Sequence, residues 1–169
     1  SVREKFVLAT TALILLLLAG VYSYFVMHER STLKDKFIAY NSEIIKSIAE
    51  SSKEKIIKSN YLSLIRLLKE IKVNNDNIDS IFLLNGEKRI IAHNNSALLY
   101  EEYESRGKIQ EEYYVNKTLI LRYANRHELV EPVVFKNKDI GEVHLLINNK
   151  GMRKVMASKQ MNMILVSFI

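Results

Sequence analysis

From Phe6 to Met27 the chain has no charged residue (FVLATTALILLLLAGVYSYFVM), and this run constrains every other reading of the sequence. At about 1.5 Å of rise per residue, a helix of that length reaches roughly 33 Å, enough for the hydrocarbon core of a bilayer. Tyr22, Tyr24 and Phe25 stand at its far end, where an interfacial aromatic belt is expected. A cleaved signal peptide would have an apolar stretch of about 7 to 15 residues followed by a small-residue cleavage site. This run is longer, and Tyr24-Phe25-Val26-Met27 is a poor cleavage context. Residues 6–27 are therefore read as a transmembrane helix that follows a cytoplasmic stub, residues 1–5. A second apolar run, Met161 to Ile169, is too short to cross a bilayer and reads as the start of a second span, truncated at residues 161–169. Arg3 and Lys5 flank the first span and favour a cytoplasmic N-terminus. Residues 28–160 are then expected outside the cytoplasm, on a protein of the inner (cytoplasmic) membrane.

Composition narrows the partners. The net charge is +6, but basic and acidic residues are interspersed after His28, and no basic stripe with interleaved aromatics occurs. Nucleic acid is therefore not an expected partner. With no cysteine, disulfide scaffolds, thiolate metal sites and cysteine nucleophiles are excluded.

The middle segment reads as helix, then sheet, then helix. Leu33, Phe37, Tyr40, Ile44 and Ile48 recur at three- and four-residue steps and predict a long amphipathic helix. Ser59-Asn60 breaks it, and Leu64, Ile65, Leu68 and Ile71 mark a second, short helix. Ile78 to Leu84 and Arg89 to His93 flank Asn85-Gly86, a strong hairpin signal because both residues tolerate positive φ. Asn94 to Gln110 is less regular, with a helical turn possible at residues 97–100. Further strands are expected at Lys117–Tyr123, Leu129–Phe135 and Ile140–Ile147. Pro132 points to an edge or a bulge in the second of these. Asn148-Asn149 can cap a final helix leading into the second span. About five strands joined mostly by short turns make an antiparallel sheet, and the flanking helices make the domain α+β.

This order of elements resembles the single-Cache, PAS-like sensor domains of bacterial receptors. Residues 81–93 (IFLLNGEKRIIAH) look like that family's first hairpin, and residues 131–143 (EPVVFKNKDIGEV) like its last. The resemblance covers about residues 28–160. It implies a small extracellular ligand of the amino acid, carboxylate or amine class, held between the sheet and its covering loops. It also implies a parallel homodimer and a downstream output of histidine kinase, chemoreceptor or nucleotide cyclase type.

Enzyme signatures are missing. None of His28, His93, His127 and His144 forms an H-x-x-x-H pair, and neither a G-x-S-x-G elbow nor a phosphate loop occurs. No catalytic residue, metal ligand or cofactor is assigned. The ligand candidates are Arg122, Tyr123, Tyr100, Tyr103 and His93. Tyrosine offers an apolar face with a hydroxyl, and arginine can grip a carboxylate. Arg122 is the preferred counter-charge for an anion, with Glu101, Glu102 and Glu104 better suited to a cation. Arg122 and Tyr123 are adjacent on a strand and so point to opposite faces. A membrane-anchored interaction module without a small ligand is the alternative, marked by a large exposed apolar patch. The topology is open to test. Cysteines introduced at Asn85 and Asn137 are expected to react with a membrane-impermeant thiol reagent on intact cells, and labelling only after lysis would place the segment inside.

Overall fold

The computed structural model describes residues 2–104 and 107–149. The chain divides into two compact units, residues 1–36 and 37–169. In the first unit, Val2–Phe25 is helical, reaches a mean hydropathy of 2.2 and has no buried residue in its most apolar stretch, so it is long and apolar enough to cross a membrane. The second span and the C-terminal helix expected from the sequence lie outside the described residues.

The elements in chain order are α1 (Val2–Ile57), α2 (Tyr61–Val73), β1 (Ile78–Asn85), β2 (Ile90–His93), a short 3-10 turn (Ser96–Leu98), β3 (Glu111–Val115), β4 (Thr118–Arg122), β5 (Arg126–Phe135) and β6 (Lys138–Asn148). The strands form one sheet in the order β2-β1-β6-β5-β4-β3, and every neighbouring pair is antiparallel. Among the described residues, the first and last strands, β1 and β6, thus sit side by side inside the sheet. The sheet has six strands where the sequence led us to expect about five. The added one, β3, is an edge strand rich in charge, EEYYV, which keeps an unpaired ladder from inviting another chain.

Strand alternation gives the sheet two different faces. One packs Ile81, Leu83, Ile91, Ile120, Leu129, Val143, Leu145 and Ile147 against Ile38, Ile45, Ile48 and Ala49 of α1 and Leu64 and Leu68 of α2. The other carries Phe82, Leu84 and Ile90 beneath Leu98, Leu99 and Tyr103. The helix stripe differs from the sequence expectation. Ile48 is fully buried and Phe37 and Ile44 are half-buried, but Tyr40 is 60% exposed, and Ile38, Asn41, Ser42 and Ile45 face inward. Asn41 and Ser42 tolerate this burial because both are hydrogen-bonded. The Asn77 amide donates to Asn41 Oδ1 (3.1 Å), and Ser42 Oγ meets Thr118 Oγ1 (2.7 Å), which donates in turn to Glu131 Oε2 (2.6 Å). These bonds tie the second unit's part of α1 to β4, to β5 and to the turn before β1.

The helix break between α1 and α2 falls where expected, with Asn60 as N-cap accepting from the Ser63 amide. The β1–β2 hairpin also forms, but with different turn chemistry. Positive φ falls on Lys88, and neither Asn85 nor Gly86 adopts it. Asn85 instead holds the turn with its side chain, whose Oδ1 accepts from the Glu87 and Arg89 amides. Pro132 lies in an interior strand, beyond the last β4 pair (Leu119 with Val130), so it removes no donor from that ladder. A register shift follows it at Val133/Val134.

Gly141 is required where β6 crosses β1. A Cβ there would run into the Leu84 carbonyl oxygen, a backbone atom that cannot rotate away. Gly141→Ala should therefore lower stability by about 1 to 3 kcal/mol, the usual cost of overpacking. Chemical denaturation of the full chain in detergent would measure this, and an unchanged midpoint would contradict the close approach.

Candidate functional site

The sheet face turned away from the helices holds a cavity of about 270 Å³. Its floor and walls are Ser80, Phe82, Ile90, His93, Leu98 and Leu146. Glu101, Glu102, Tyr103 and Glu104 come from the segment that covers this face after β2 (residues 94–104), and Arg126 from β5. The covering segment is fastened to the free edge of β2. The Tyr100 amide donates to Ile90 O (2.8 Å), the Ile90 amide to Glu101 O (3.0 Å) and the Tyr103 amide to Lys88 O (3.1 Å). Apolar walls with a few converging polar groups are the usual build of a small-molecule pocket.

Register places three rings in a row beneath this cover. Phe82 pairs with His93 on β2 and with His144 on β6. It stacks on both, with ring centroids 5.5 Å and 4.9 Å away. The two histidines are in different states. His93 Nδ1 accepts the Asn95 amide (2.7 Å), so its proton sits on Nε2 and is given to Ser80 Oγ (3.0 Å), which donates to Asn94 Oδ1 (3.2 Å). Burial pulls the His93 pKa down, in keeping with a neutral ring.

His144 has a carboxylate on each nitrogen. Nδ1 meets Glu128 Oε1 at 2.7 Å and Nε2 meets Glu142 Oε2 at 3.3 Å. Only an imidazolium has two donors to give, so the geometry calls for the charged form. Burial alone would lower its pKa, but the bonds to Glu128 and Glu142 outweigh this and raise it. Glu128 is 1% exposed and accepts from the hydroxyls of Tyr103 (2.7 Å) and Tyr123 (3.0 Å) as well as from His144. Burial would push its pKa up, and these three donors hold it down. The bond from His144, with Lys88 bonded to both oxygens at 2.6 Å, brings Glu142 to about 2 against the opposing effect of burial. Burial, then the Glu128 charge, pushes the Tyr103 hydroxyl well above the usual range, so it stays a donor.

The five candidate ligand residues are thus dispersed. Tyr103 and His93 line the cavity. Tyr123 is buried and does not line the cavity; it donates to Glu128 and lies under the guanidinium of Arg126, a lining residue. Tyr100 is 67% exposed and is not among the lining residues. Arg122 shares the helix-side face with Thr118 and Ile120 and pairs with Glu111 of β3, Nε to Oε2 at 2.6 Å. Phe82, Glu128, Glu142 and His144 were not among the candidates. For Glu128 and His144 a signal was present, since Glu128 precedes Leu129-Val130 and His144 lies between Val143 and Leu145-Leu146-Ile147, titratable residues set against apolar neighbours. Among the described residues no group of histidines and carboxylates is arranged to hold a metal ion.

No family model matches the chain, and no curated protein matches it. Among solved structures it is similar to the sensor domain of the histidine kinase DctB from V. cholerae. The TM-score is 0.55 at 10% sequence identity, over 76% of this chain and 55% of that one. This chain thus spans about half the length of the structure it matches. The likeness is one of fold: a long helix followed by an antiparallel sheet in the PAS-like, Cache-type arrangement that the sequence resembles.

The charge network sets a pH window for stability. His144 has a raised folded pKa, so its contribution is complete below its ordinary value of 6.5 and is lost as pH rises through the folded value. Glu142 has a depressed one, so its contribution is complete above 4.5 and is lost as pH falls towards about 2. The melting temperature of the full chain in detergent should therefore be highest between these limits. His144→Gln should flatten the alkaline limb in particular, and an alkaline limb that persists in this variant would assign it to another group.

Proposed function

We propose that residues 28–160 form the extracytoplasmic, ligand-sensing domain of a membrane signalling receptor. The observation that carries this reading is the 270 Å³ cavity between the helix-free sheet face and its covering segment, in a fold shared with a histidine kinase's sensor domain. A small molecule would lie over the Phe82 ring, with Tyr103 and His93 beside it and Ser80, Arg126 and the covering glutamates offering polar contacts. The span at 6–27 would anchor the domain, and a second span would carry the signal to a cytoplasmic output of kinase, chemoreceptor or cyclase type. In this reading the residues do no chemistry. They bind, and binding biases a two-state element by its differential affinity for the two states. Two copies would pair through α1, on the side where Tyr40 is exposed.

The cavity favours a sensor over a plain interaction module, which would need a broad apolar patch instead. The test is the thermal stability of the full chain in detergent against amino acids, small carboxylates and amines. A specific ligand at 100 times its Kd should add about 2.7 kcal/mol. Tyr103→Ala should weaken that ligand at least about tenfold, as loss of one good polar or aromatic contact does, while Arg122→Ala should leave it unchanged. A hit sensitive to Arg122→Ala and indifferent to Tyr103→Ala would move the site to the other face, and a screen without hits would favour the interaction module.

A further inference from the structure

The cavity's Tyr103 wall hangs on a buried ion pair, and we propose that this makes the pocket proton-gated: protonated His144 closes the covering segment over Phe82, and loss of that proton opens it. The inference deepens the ligand-sensing reading above by adding a control on the same site.

The argument rests on which groups meet at His144. Glu128 of β5 faces Nδ1 and Glu142 of β6 faces Nε2. Phe82 of β1 stacks on the ring without charge, and Tyr103 of the covering segment lies against it with centroids 5.1 Å apart. Further charge arrives indirectly. Lys88 of the β1–β2 turn binds Glu142, Tyr123 after β4 binds Glu128, and the Arg126 guanidinium sits over the Tyr123 ring at 4.8 Å. Among these groups His144 is the cation that touches Glu128, and the other two donors to Glu128 are neutral hydroxyls.

When His144 loses its proton, one of its nitrogens presents a lone pair to a carboxylate. Lys88 still holds Glu142, whose side chain is 31% exposed and can turn to water. Glu128 has neither escape: it is out of water and is left with a full negative charge facing a neutral ring. A buried charge whose partner is removed is strongly unfavourable, and it is relieved by admitting water. Of the elements around Glu128, β5 and β6 are interior strands with ladders on both sides, whereas the covering segment is held by two backbone bonds to Ile90 at the edge of β2 and one to Lys88 in the preceding turn. It is the element that gives way most easily, and Tyr103, the donor it contributes to Glu128, leaves with it.

The experiment uses the full chain in detergent with 15N-labelled histidine and ring-13C tyrosine, titrated by NMR from pH 5 to 10 with no ligand other than the proton. The Tyr103 signal is assigned by its loss in Tyr103→Phe. At neutral pH, His144 should show both nitrogens protonated. Its midpoint should lie on the alkaline side of 6.5, the ordinary histidine value, and the Tyr103 signal should move with that midpoint. In His144→Gln the Tyr103 transition should disappear. If that variant does not fold, Glu142→Gln serves instead. Removing one carboxylate should lower the His144 midpoint by about one pH unit or more, and the Tyr103 transition should shift with it. A neutral His144 at pH 7, or a Tyr103 transition that stays in place in either variant, would overturn the gate. Because no ligand is used, such a failure leaves the ligand reading standing, and a failed ligand screen at fixed pH leaves the gate standing.

Discussion

Glu128 is a carboxylate almost wholly out of water, and the arrangement of the helix-free sheet face follows from the need to satisfy it. An ionised carboxylate in such a place is tolerable only with donors around it and a cation beside it. The donors come from three parts of the chain: Tyr103 from the covering segment, Tyr123 from the turn after β4, and His144 from β6. The cation is His144, which is held charged by Glu142, itself held by Lys88. The chain of contacts therefore runs from a surface lysine to the cavity wall. The register that sets Phe82, His93 and His144 side by side brings His144 into this chain.

The opposite face is satisfied by different means. There apolar packing dominates, and the buried polar contacts are amide and hydroxyl hydrogen bonds, Asn41 with Asn77 and Ser42 with Thr118, the latter ending on the Glu131 carboxylate. The contrast has a physical basis. Neutral hydrogen-bonded pairs are buried at little net penalty and fix a register between helix and sheet, whereas a buried ion pair stands or falls with a proton. The cavity side thus holds a buried ion pair, Glu128 with His144, whereas the contacts that seat α1 run through amides and hydroxyls.

The larger elements were legible because they obey one period each. The α2 stripe of Leu64, Ile65, Leu68 and Ile71 and the strands around Asn85-Gly86 and Asn137 follow from apolar spacing and turn residues alone. Long-range pairing decides what was missed. The stripe on α1 was read from Tyr40 and its apolar companions, but Asn41 and Ser42 face inward because Asn77 and Thr118 receive them, and neither partner is near in sequence. β3 escaped notice because an edge strand needs only Tyr113 and Val115 against the core, and its glutamates hide the alternation. The site divides in the same way. Tyr103 and His93 were found as residue types that suit a pocket, but Arg122 finds its counter-charge in Glu111 across the strand pair, a choice that register makes.

The two faces meet in the strands they share. On β5, Glu128 points to the cavity and Glu131 to α1, one by way of His144 and the other by way of Thr118 and Ser42. Thr118 opens β4, the strand that ends at Arg122, next to the Tyr123 that donates to Glu128. A change at Glu128 therefore acts on the two strands that hold the buried polar contact of α1. In the proposed receptor this is the physical route from pocket to helix. It runs through an interior strand with a carboxylate contact on each face, Glu128 to His144 and Glu131 to Thr118, so a loosened cavity wall would reach Ser42 as a small change in strand position.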